Sequence, residues 1–314
     1  MGFEKALSSA TGVGGDMIIP QLADQIIPFI RQRSYLRQFL QSFVMPTETY
    51  RFPKLSTGNT VYYVGEGASA PESLMSTGTV EMNAKKLMVA LGISAELEED
   101  SILPIVPVIR DDMAKAFALA EENCFINGDT THTSTATDPV CATEANWYAN
   151  DARKAFDGIL KFGCGTSVDA GSGALALADI SGAIQNLDVF GRDKSELLLA
   201  VSLREEATLR QLLGIDLTIN QLGLTGTALP GEVGKVWGVP VIATNLLKIA
   251  TNNASQAVMM NRNAAIIGDR RVFTIKSSDE VLLRTDQLLV VASERIAFSA
   301  QYCQAIVKIT NITA

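Results

Sequence analysis

Residues 61–129 constrain the fold of this chain more than any other stretch, because three different hydrophobic patterns follow one another there. The middle pattern, KKLMVALGISAEL, alternates along the chain with a period of two, which predicts a strand with one apolar face. That face comprises Leu87, Val89, Leu91, Ile93, Ala95 and Leu97. We expect this strand to belong to the core.

A long helix is predicted directly after this strand, in PVIRDDMAKAFALAEENCFING. We expect it to start at Pro107, because proline is tolerated in the first helical turn and costs roughly 3 kcal/mol further inside. Asn127-Gly128 supplies a C-terminal stop signal. The helix carries a continuous apolar stripe made of Val106, Ile109, Met113, Phe117, Ala120 and Cys124.

The first part of the stretch is harder to place. VYYVGEG and GTVEM favour strands, and GASAPESLMSTG between them has the composition of a turn. A hairpin of two strands is marginally stable in water on its own. The sequence therefore predicts a projecting hairpin that another surface must hold, and a neighbouring subunit is the simplest candidate.

The rest of the chain predicts an α+β protein. From Leu177 onward, the helical segments ADISGAIQNLD and LREEATLRQLLG alternate with the strands ELLLAVS, GKVWGVPVIAT and AVMMN. The C-terminal part is rich in strands, in RVFTIK, VLLRTDQLLVVA, RIAFSAQY and QAIVKIT.

Four other segments carry weaker signals. Residues 1–16 predict an extended arm, and the spacing of Leu22, Ile26, Ile27 and Ile30 predicts a helix that starts at Pro20. FVMPTETYRFPKL predicts an extended strand. Residues 129–177 have little periodicity, and we interpret them as an insertion that covers a neighbour, with plain disorder as the alternative.

The composition excludes several functions. A net charge of −8 disfavours a protein that binds nucleic acid by neutralising phosphates. The chain shows neither a signal peptide nor an apolar run of about 20 residues. The four cysteines lack metal-binding spacing, which favours reduced thiols, and His132 is the only histidine.

Motifs for catalysis are also missing, since no phosphate-binding GxxxxGK[ST], GxSxG or HExxH sequence occurs. The acidic cluster Glu96, Glu98, Glu99 and Asp100 is the remaining candidate, and strand alternation would place Glu96 and Glu98 on one face. Acidic residues are equally favoured just before a helix. We therefore expect no catalytic residue, no cofactor and no metal.

Several segments together resemble the major capsid proteins of tailed double-stranded DNA bacteriophages, which have the Hong Kong 97-like fold. They are GGDMIIPQLADQIIPFIRQRSYLRQF, FPKL, YYVGEGASAPES, KKLMVALGISAELEEDS, AFALAEENCFINGD and GKVWGVPVIAT. The resemblance keeps the family's order from about residue 14 to the C-terminus and is weakest over residues 130–175.

This resemblance implies a subunit with named parts. An N-arm (1–19) precedes a peripheral P-domain, which is assembled from 20–56, from 85–128 with its long spine helix, and from the strands of 262–298. An extended E-loop hairpin occupies 57–84, and a long loop insertion occupies 129–176. The axial A-domain comprises 177–261, and the C-terminal strand of 299–314 returns to it.

The resemblance also implies roles for individual residues. The E-loop would contact a neighbouring subunit through Tyr62, Tyr63, Glu66, Pro71, Glu72, Leu74 and Met75. The core face of the spine helix would comprise Ile109, Met113, Phe117 and Ala120. Some family members crosslink an E-loop lysine to a neighbour, and because residues 55–84 contain no lysine we expect no such crosslink here.

The implied function is a shell protein that self-assembles into hexamers and pentamers, forming an icosahedral phage head around double-stranded DNA without binding it tightly. Implied partners are other copies of the chain, a portal, a decoration protein in some shells, and a scaffold that we expect to be a separate protein because the arm begins almost at Met1. The protein would reside in the virion after assembly in the host cytoplasm, without membrane contact.

Two alternatives remain open. An encapsulin-like compartment shell shares the fold but encloses a cargo enzyme. A soluble α/β enzyme centred on residues 178–244 is the more distant alternative, with the acidic cluster near its site.

Overall fold

Two β-sheets and one long helix enclose the main hydrophobic core. The computed structural model describes residues 35–100, 105–131, 150–162, 167–212, 232–247 and 254–313. The helices in these ranges are α1 (Leu36–Phe39), α2 (Ala95–Asp100), α3 (Ile105–Asn127), α4 (Ile159–Phe162), α5 (Leu177–Asn186) and α6 (Leu203–Gln211). The strands are β1 (Gln41–Val44), β2 (Thr49–Thr57), β3 (Ser76–Asn83), β4 (Lys85–Ser94), β5 (Ser167–Asp169), β6 (Leu197–Val201), β7 (Glu232–Val236), β8 (Val239–Ala243), β9 (Ala254–Asn261), β10 (Ala265–Ser278), β11 (Gln287–Ala300) and β12 (Ile306–Thr313).

The first sheet has four strands in the order β1-β10-β11-β4. Strand β1 runs parallel to β10, whereas β11 is antiparallel to both β10 and β4. Helix α3 covers this sheet through aromatic contacts. The rings of Phe117 and Phe273 meet edge to face at 5.0 Å, and the rings of Phe125 and Phe298 lie 5.0 Å apart.

The strand predicted in KKLMVALGISAEL is confirmed over β4, but its boundary and its apolar face need correction. The ladder with β11 ends at Ser94, and Ala95 and Leu97 lie in α2, because ELEED is composed of good helix formers. Leu87 and Ile93 are buried, whereas Val89 and Leu91 are exposed. The middle of this edge strand therefore has no covering layer among the described residues.

The long helix is confirmed and ends at Asn127, as the Asn-Gly signal predicted. It begins at Ile105 rather than at Pro107. Proline is still accommodated there, because N–H groups in the first helical turn have no partner within the helix. Of the predicted core stripe, Met113 and Phe117 are buried and Ile109 and Ala120 are half-buried. The last turns are buried more completely, since Glu121, Glu122, Phe125 and Ile126 join Cys124 in the interior.

The end of α3 meets residues 150–162 at a very close approach. A Cβ atom on Gly128 would lie 2.4 Å from the carbonyl oxygens of Cys124 and Phe156, so no larger residue fits there. Phe156, Ile159 and Leu160 are buried in the main core. Residues 150–162 of the predicted insertion therefore belong to the core of their own chain, and the contact of this segment with a neighbour stays a prediction.

The second sheet has six strands in the order β5-β12-β9-β6-β8-β7. GKVWGVPVIAT forms two of them, joined by a tight turn in which Trp237 and Gly238 have φ of 50° and 86°. Ile180 and Ala183 of α5 and Leu209 of α6 are buried with this sheet in a second core. The last strand of the chain, β12, lies beside β9 in the same sheet.

Strands β2 and β3 form a separate hairpin. The predicted strand in VYYVGEG is wrong, because β3 pairs with TYRFPKLST and residues 58–75 form the loop between them. Val61, Tyr62 and Tyr63 have strand-forming side chains, but no surface within the described ranges buries them. In TYRFPKLST, by contrast, Tyr50 and Phe52 pack on an adjacent core.

Some predictions concern residues outside the described ranges. They are the arm, the helix from Pro20 and His132. None of the helices that the structure describes combines the length and the apolar character that a membrane span requires.

Candidate assembly surface

The hairpin is attached to the body by a small apolar cluster at its base. Met45, Met82 and Ala84 are buried there with Ile266 and Ala297 of the four-stranded sheet. The rings of Phe43, Tyr50 and Phe52 pack against the cluster, and their centroids lie 4.8–5.5 Å from one another. No local pattern along the chain indicates this anchor, since its residues come from four separated segments.

Polar contacts also hold the hairpin. Lys54 Nζ donates a hydrogen bond to the carbonyl oxygen of Gln301 at 3.1 Å and lies over the ring of Tyr302. Arg51 pairs with Glu81 at 2.9 Å across the two strands of the hairpin itself. The Lys54 contacts thus add a second attachment of the hairpin to the body.

The loop of residues 58–75, which we call the hairpin loop, leaves its apolar side chains in water. Tyr63 is 98% exposed, Val61 95% and Leu74 87%. A few local hydrogen bonds shape the loop, including one from the Thr60 N–H to Ser73 Oγ at 2.7 Å. Monomeric proteins seldom expose several large apolar side chains together, and such groups usually mark an interaction surface.

The structure places all of the predicted E-loop contact residues on this loop. Each of them is exposed: Tyr62, Tyr63, Glu66, Pro71, Glu72, Leu74 and Met75. They are thus free to meet another molecule.

A groove that sequence reasoning missed lies on the body of the protein. It is lined by β4, by the middle of α3 and by residues 150–155, and it has a volume of about 570 Å³. Its lining combines apolar groups with the lysines Lys85, Lys86 and Lys154. No sequence signal could have shown it, because it exists only where the uncovered part of β4 passes the helix.

A cluster of buried charges lies under the same sheet. Arg37 of α1 donates hydrogen bonds to both Glu121 of α3 and Asp269 of β10. Glu294 of β11 is 6% exposed, and its Oε1 atom has no hydrogen-bond partner in the part of the chain that the structure describes. Burial, and after it the Glu121 carboxylate, raise the pKa of Glu294 from 4.5 to about 8. Burial likewise raises the pKa of Glu121, against the opposing effect of Arg37.

The predicted acidic cluster lies on a helix and not on a strand. Glu96, Glu99 and their neighbours lie on helix α2, so the interpretation that strand alternation aligns Glu96 with Glu98 is wrong. The described residues contain no group of three or more histidine, cysteine, aspartate or glutamate side chains placed to hold a metal ion. Burial raises the pKa of the Cys124 thiol, which makes it an unreactive core residue.

Two sheets, a long helix and an anchored hairpin are the elements of the Hong Kong 97-like fold. The capsid of a native GTA particle has this fold, with a TM-score of 0.68 and 19% identity over 98% of this chain and 99% of that one. So does a chain of Mycobacterium phage Adephagia, with a TM-score of 0.67 and 17% identity over 96% and 97% of the two chains. The model of the phage capsid family matches residues 14–311, and the chain belongs to that family.

Two curated relatives are more similar in sequence over shorter regions. The major capsid protein of Klebsiella oxytoca phage phiKO2 is 27% identical over 127 residues, which is 40% of this chain and 30% of that protein. The major capsid protein of Escherichia phage T5 is 21% identical over 228 residues, or 73% and 46% of the two chains. This chain thus spans less than half of the length of either relative.

Proposed function

We propose that this chain is a major capsid protein whose copies assemble as hexamers and pentamers into an icosahedral phage head around double-stranded DNA. The observation that carries the proposal is the hairpin loop, which is apolar and exposed on a firmly anchored hairpin. In a monomer the apolar side chains of this loop stay in water and add no stability. In a shell, each copy can bury them in an interface with a neighbour.

The parts of the fold take the roles of a shell subunit. The four-stranded sheet and α3 serve as the peripheral P-domain, and the six-stranded sheet serves as the axial A-domain. The hairpin serves as the E-loop, starting at Thr49 rather than at residue 57, because β2 is one of its two strands.

The protein has no catalytic role in this proposal. Its net charge of −8 suits a container, since a shell that held DNA tightly would hinder packaging and release. A portal, a separate scaffold and a decoration protein are the further partners we propose. The protein would assemble in the host cytoplasm and remain in the virion.

The encapsulin alternative differs in what the shell contains. The family match and both named relatives favour a phage head. Mass spectrometry of purified shells separates the two functions, since a portal and packaged genome indicate a phage head and a cargo enzyme indicates a compartment.

The assembly role can be tested at Tyr63. Tyr63→Ser removes a large apolar group from every loop, and burying such a group contributes about 1.5–3 kcal/mol per interface. We expect a strong loss of shells in electron micrographs and sedimentation. Tyr63→Phe keeps the ring and should assemble as the original protein does.

Both variants should melt at the original temperature before assembly, because residue 63 makes no contribution to the subunit core. Normal shells from Tyr63→Ser would refute a role for the loop in assembly.

A further inference from the structure

We propose that a row of basic side chains on the four-stranded sheet binds the acidic turn between β10 and β11 of a second copy of the chain. The row consists of Lys86, Arg295 and Arg271, and we call it the basic row. The turn comprises residues 279–286, and we call it the acidic turn. This inference rests on the proposed assembly function and concerns a contact that does not involve the hairpin loop.

The pairing of the strands places the three positive charges of the basic row side by side. Lys86 of β4 lies opposite Arg295 of β11, and Arg295 lies opposite Arg271 of β10. Residues paired in this way have Cβ atoms about 4.5–5.5 Å apart and share one face of the sheet. Their chain neighbours Leu87 and Glu294 are buried on the side of α3. Side chains alternate along a strand, so the basic row lies on the opposite face.

The subunit itself neutralises little of this charge. Glu48 forms an ion pair with Arg295 at 3.2 Å, but its side chain is 72% exposed. Within the described ranges Lys86 and Arg271 take part in no ion pair, and the buried Nε atom of Arg295 has no hydrogen-bond partner. Like charges directly opposite one another destabilise a sheet. A partner that brings carboxylates to the basic row would reduce this repulsion.

The acidic turn has the matching charge. It carries Asp279, Glu280 and Asp286 against a single cation, Arg284. All four side chains are exposed, and none of them forms an ion pair with another described residue. The acidic helix α2 adjoins the turn, because the Ala95 N–H donates a hydrogen bond to the carbonyl oxygen of Asp286 at 3.1 Å. The end of the sheet is therefore negative as a whole.

Apolar side chains accompany the charges on both surfaces. Val281 and Leu283 of the acidic turn are 68% and 74% exposed. Met88 and Val272, which lie beside the basic row, are 57% and 75% exposed. Covering such side chains is favourable, and the opposite charges select the partner and its orientation.

A second copy must supply the acidic turn. Strand β4 runs from Lys86 at the basic row to Ser94, which pairs with Gln287 directly after the turn. At the rise of a strand this separation is about 26 Å. The two surfaces therefore lie near opposite ends of one sheet and cannot meet within a subunit. Different surfaces of this kind pair head to tail, and head-to-tail contacts close into rings when the rotation permits.

Charge reversal tests the pairing. Lys86→Glu with Arg271→Glu gives a row variant, and Asp279→Lys with Glu280→Lys gives a turn variant. Each should lower the yield of shells at least tenfold in low salt, and the protein with all four changes should recover most of the yield. The four side chains are exposed, so all variants should melt at the original temperature before assembly. Original yields from the row variant and the turn variant would overturn the proposal, as would a folded fourfold variant that does not assemble.

Two further variants show whether the effect is specific. Arg192→Glu with Lys194→Glu makes the same change in net charge at exposed positions outside the four-stranded sheet, and it should assemble at the original yield. Adding Glu66→Lys and Glu72→Lys to the row variant should not restore assembly. Recovery by this combination would mean that the hairpin loop, and not the acidic turn, occupies the basic row.

Nucleic acid is the other anionic partner that the test must distinguish. A short DNA duplex is titrated into unassembled subunits in low salt. The original protein and the row variant should bind it equally weakly, in keeping with the net charge of −8. Tight binding that is lost in the row variant would show that the basic row takes phosphates, and the present assignment would be wrong.

Disulfide trapping locates the contact without relying on yield. Leu283→Cys combined with Val272→Cys should give crosslinked dimers and larger oligomers in oxidised shells. Leu283→Cys combined with Val189→Cys is the matched control, because Val189 is as exposed as Val272 but lies outside the four-stranded sheet. Leu283→Cys alone measures any crosslinking through the native cysteines. Equal crosslinking in the three proteins would refute the contact.

These results are separable from failure of the proposed function. If the unchanged protein formed no shells under any assembly condition, the capsid function would be wrong. If it formed shells and the row variant and the turn variant did so equally well, only the contact between the basic row and the acidic turn would be wrong.

Discussion

Replacing Glu294 with glutamine should make the protein more stable at alkaline pH. Glu294 is almost fully buried, and it faces Arg37 from α1, Glu121 from α3 and Asp269 from β10. The single positive charge of Arg37 therefore faces three carboxyl groups. Glutamine has nearly the same size and hydrogen-bonding groups but cannot ionise.

The sign of the pH dependence of the free energy of unfolding follows from whether Glu294 holds its proton in the folded and in the unfolded chain. Between pH 4.5 and about 8 the folded protein keeps the proton on Glu294, whereas the unfolded chain releases it. Unfolding then releases a proton, so the free energy of unfolding falls as the pH rises through this window and levels off above it. At about 1.4 kcal/mol per pKa unit the loss has an upper limit of roughly 5 kcal/mol, and we expect about 2 kcal/mol after the cluster relaxes.

The assay is urea denaturation from pH 5 to pH 9, on samples matched in assembly state. Glu294→Gln should equal the original protein near pH 5 and exceed it by about 2 kcal/mol at pH 9. Some slope should remain, because burial also raises the pKa of Glu121. Asp111→Asn is the control, since Asp111 is an exposed carboxylate paired with Lys115 on α3. An identical pH dependence of the original protein and Glu294→Gln would refute the reasoning.

Three further predictions concern the core, the helix end and the hairpin. Phe117→Asp should abolish soluble expression, because it buries a charge at a cost of several kcal/mol. Val108→Asp, at an exposed position of the same helix, should express normally. Equal expression of the two variants would mean that the helix buries the opposite face. Gly128→Ala should lower the melting temperature strongly, because the added Cβ would lie 2.4 Å from two carbonyl oxygens. Gly58→Ala should leave the melting temperature unchanged, because a Cβ there has no atom within 4 Å. Mature shells should release monomer on a denaturing gel, since Lys54 is the hairpin's one lysine and its Nζ donates a hydrogen bond to the Gln301 carbonyl oxygen. A covalent ladder would contradict this.

The patterns that the sequence revealed are those in which neighbours along the chain decide the outcome. The alternation through Leu87 and Ile93 located β4, and the stripe through Met113 and Phe117 located α3 with its end at Asn127. Periodicity reports one buried face, which is a local property of the chain. The order of such segments was also sufficient to suggest the fold, which the solved shells confirm.

Predictions failed where burial depends on residues distant in sequence. VYYVGEG has strand-forming residues, yet β3 pairs with Thr49–Thr57, because there Tyr50 and Phe52 reach a small core and the loop residues do not. Val89 and Leu91 fit the apolar face of β4 but remain exposed, since no described layer covers the middle of that strand.

The sequence alone determined the local elements of this protein, the apolar character of its hairpin loop and the absence of recognised catalytic motifs. Tertiary structure alone decided where the hairpin is anchored, which carboxylates share Arg37, and that a basic groove forms beside β4. The physical reason is that helices and strands follow from interactions between close neighbours in the chain. Anchors, buried charges and grooves arise instead from surfaces contributed by segments that lie far apart in sequence.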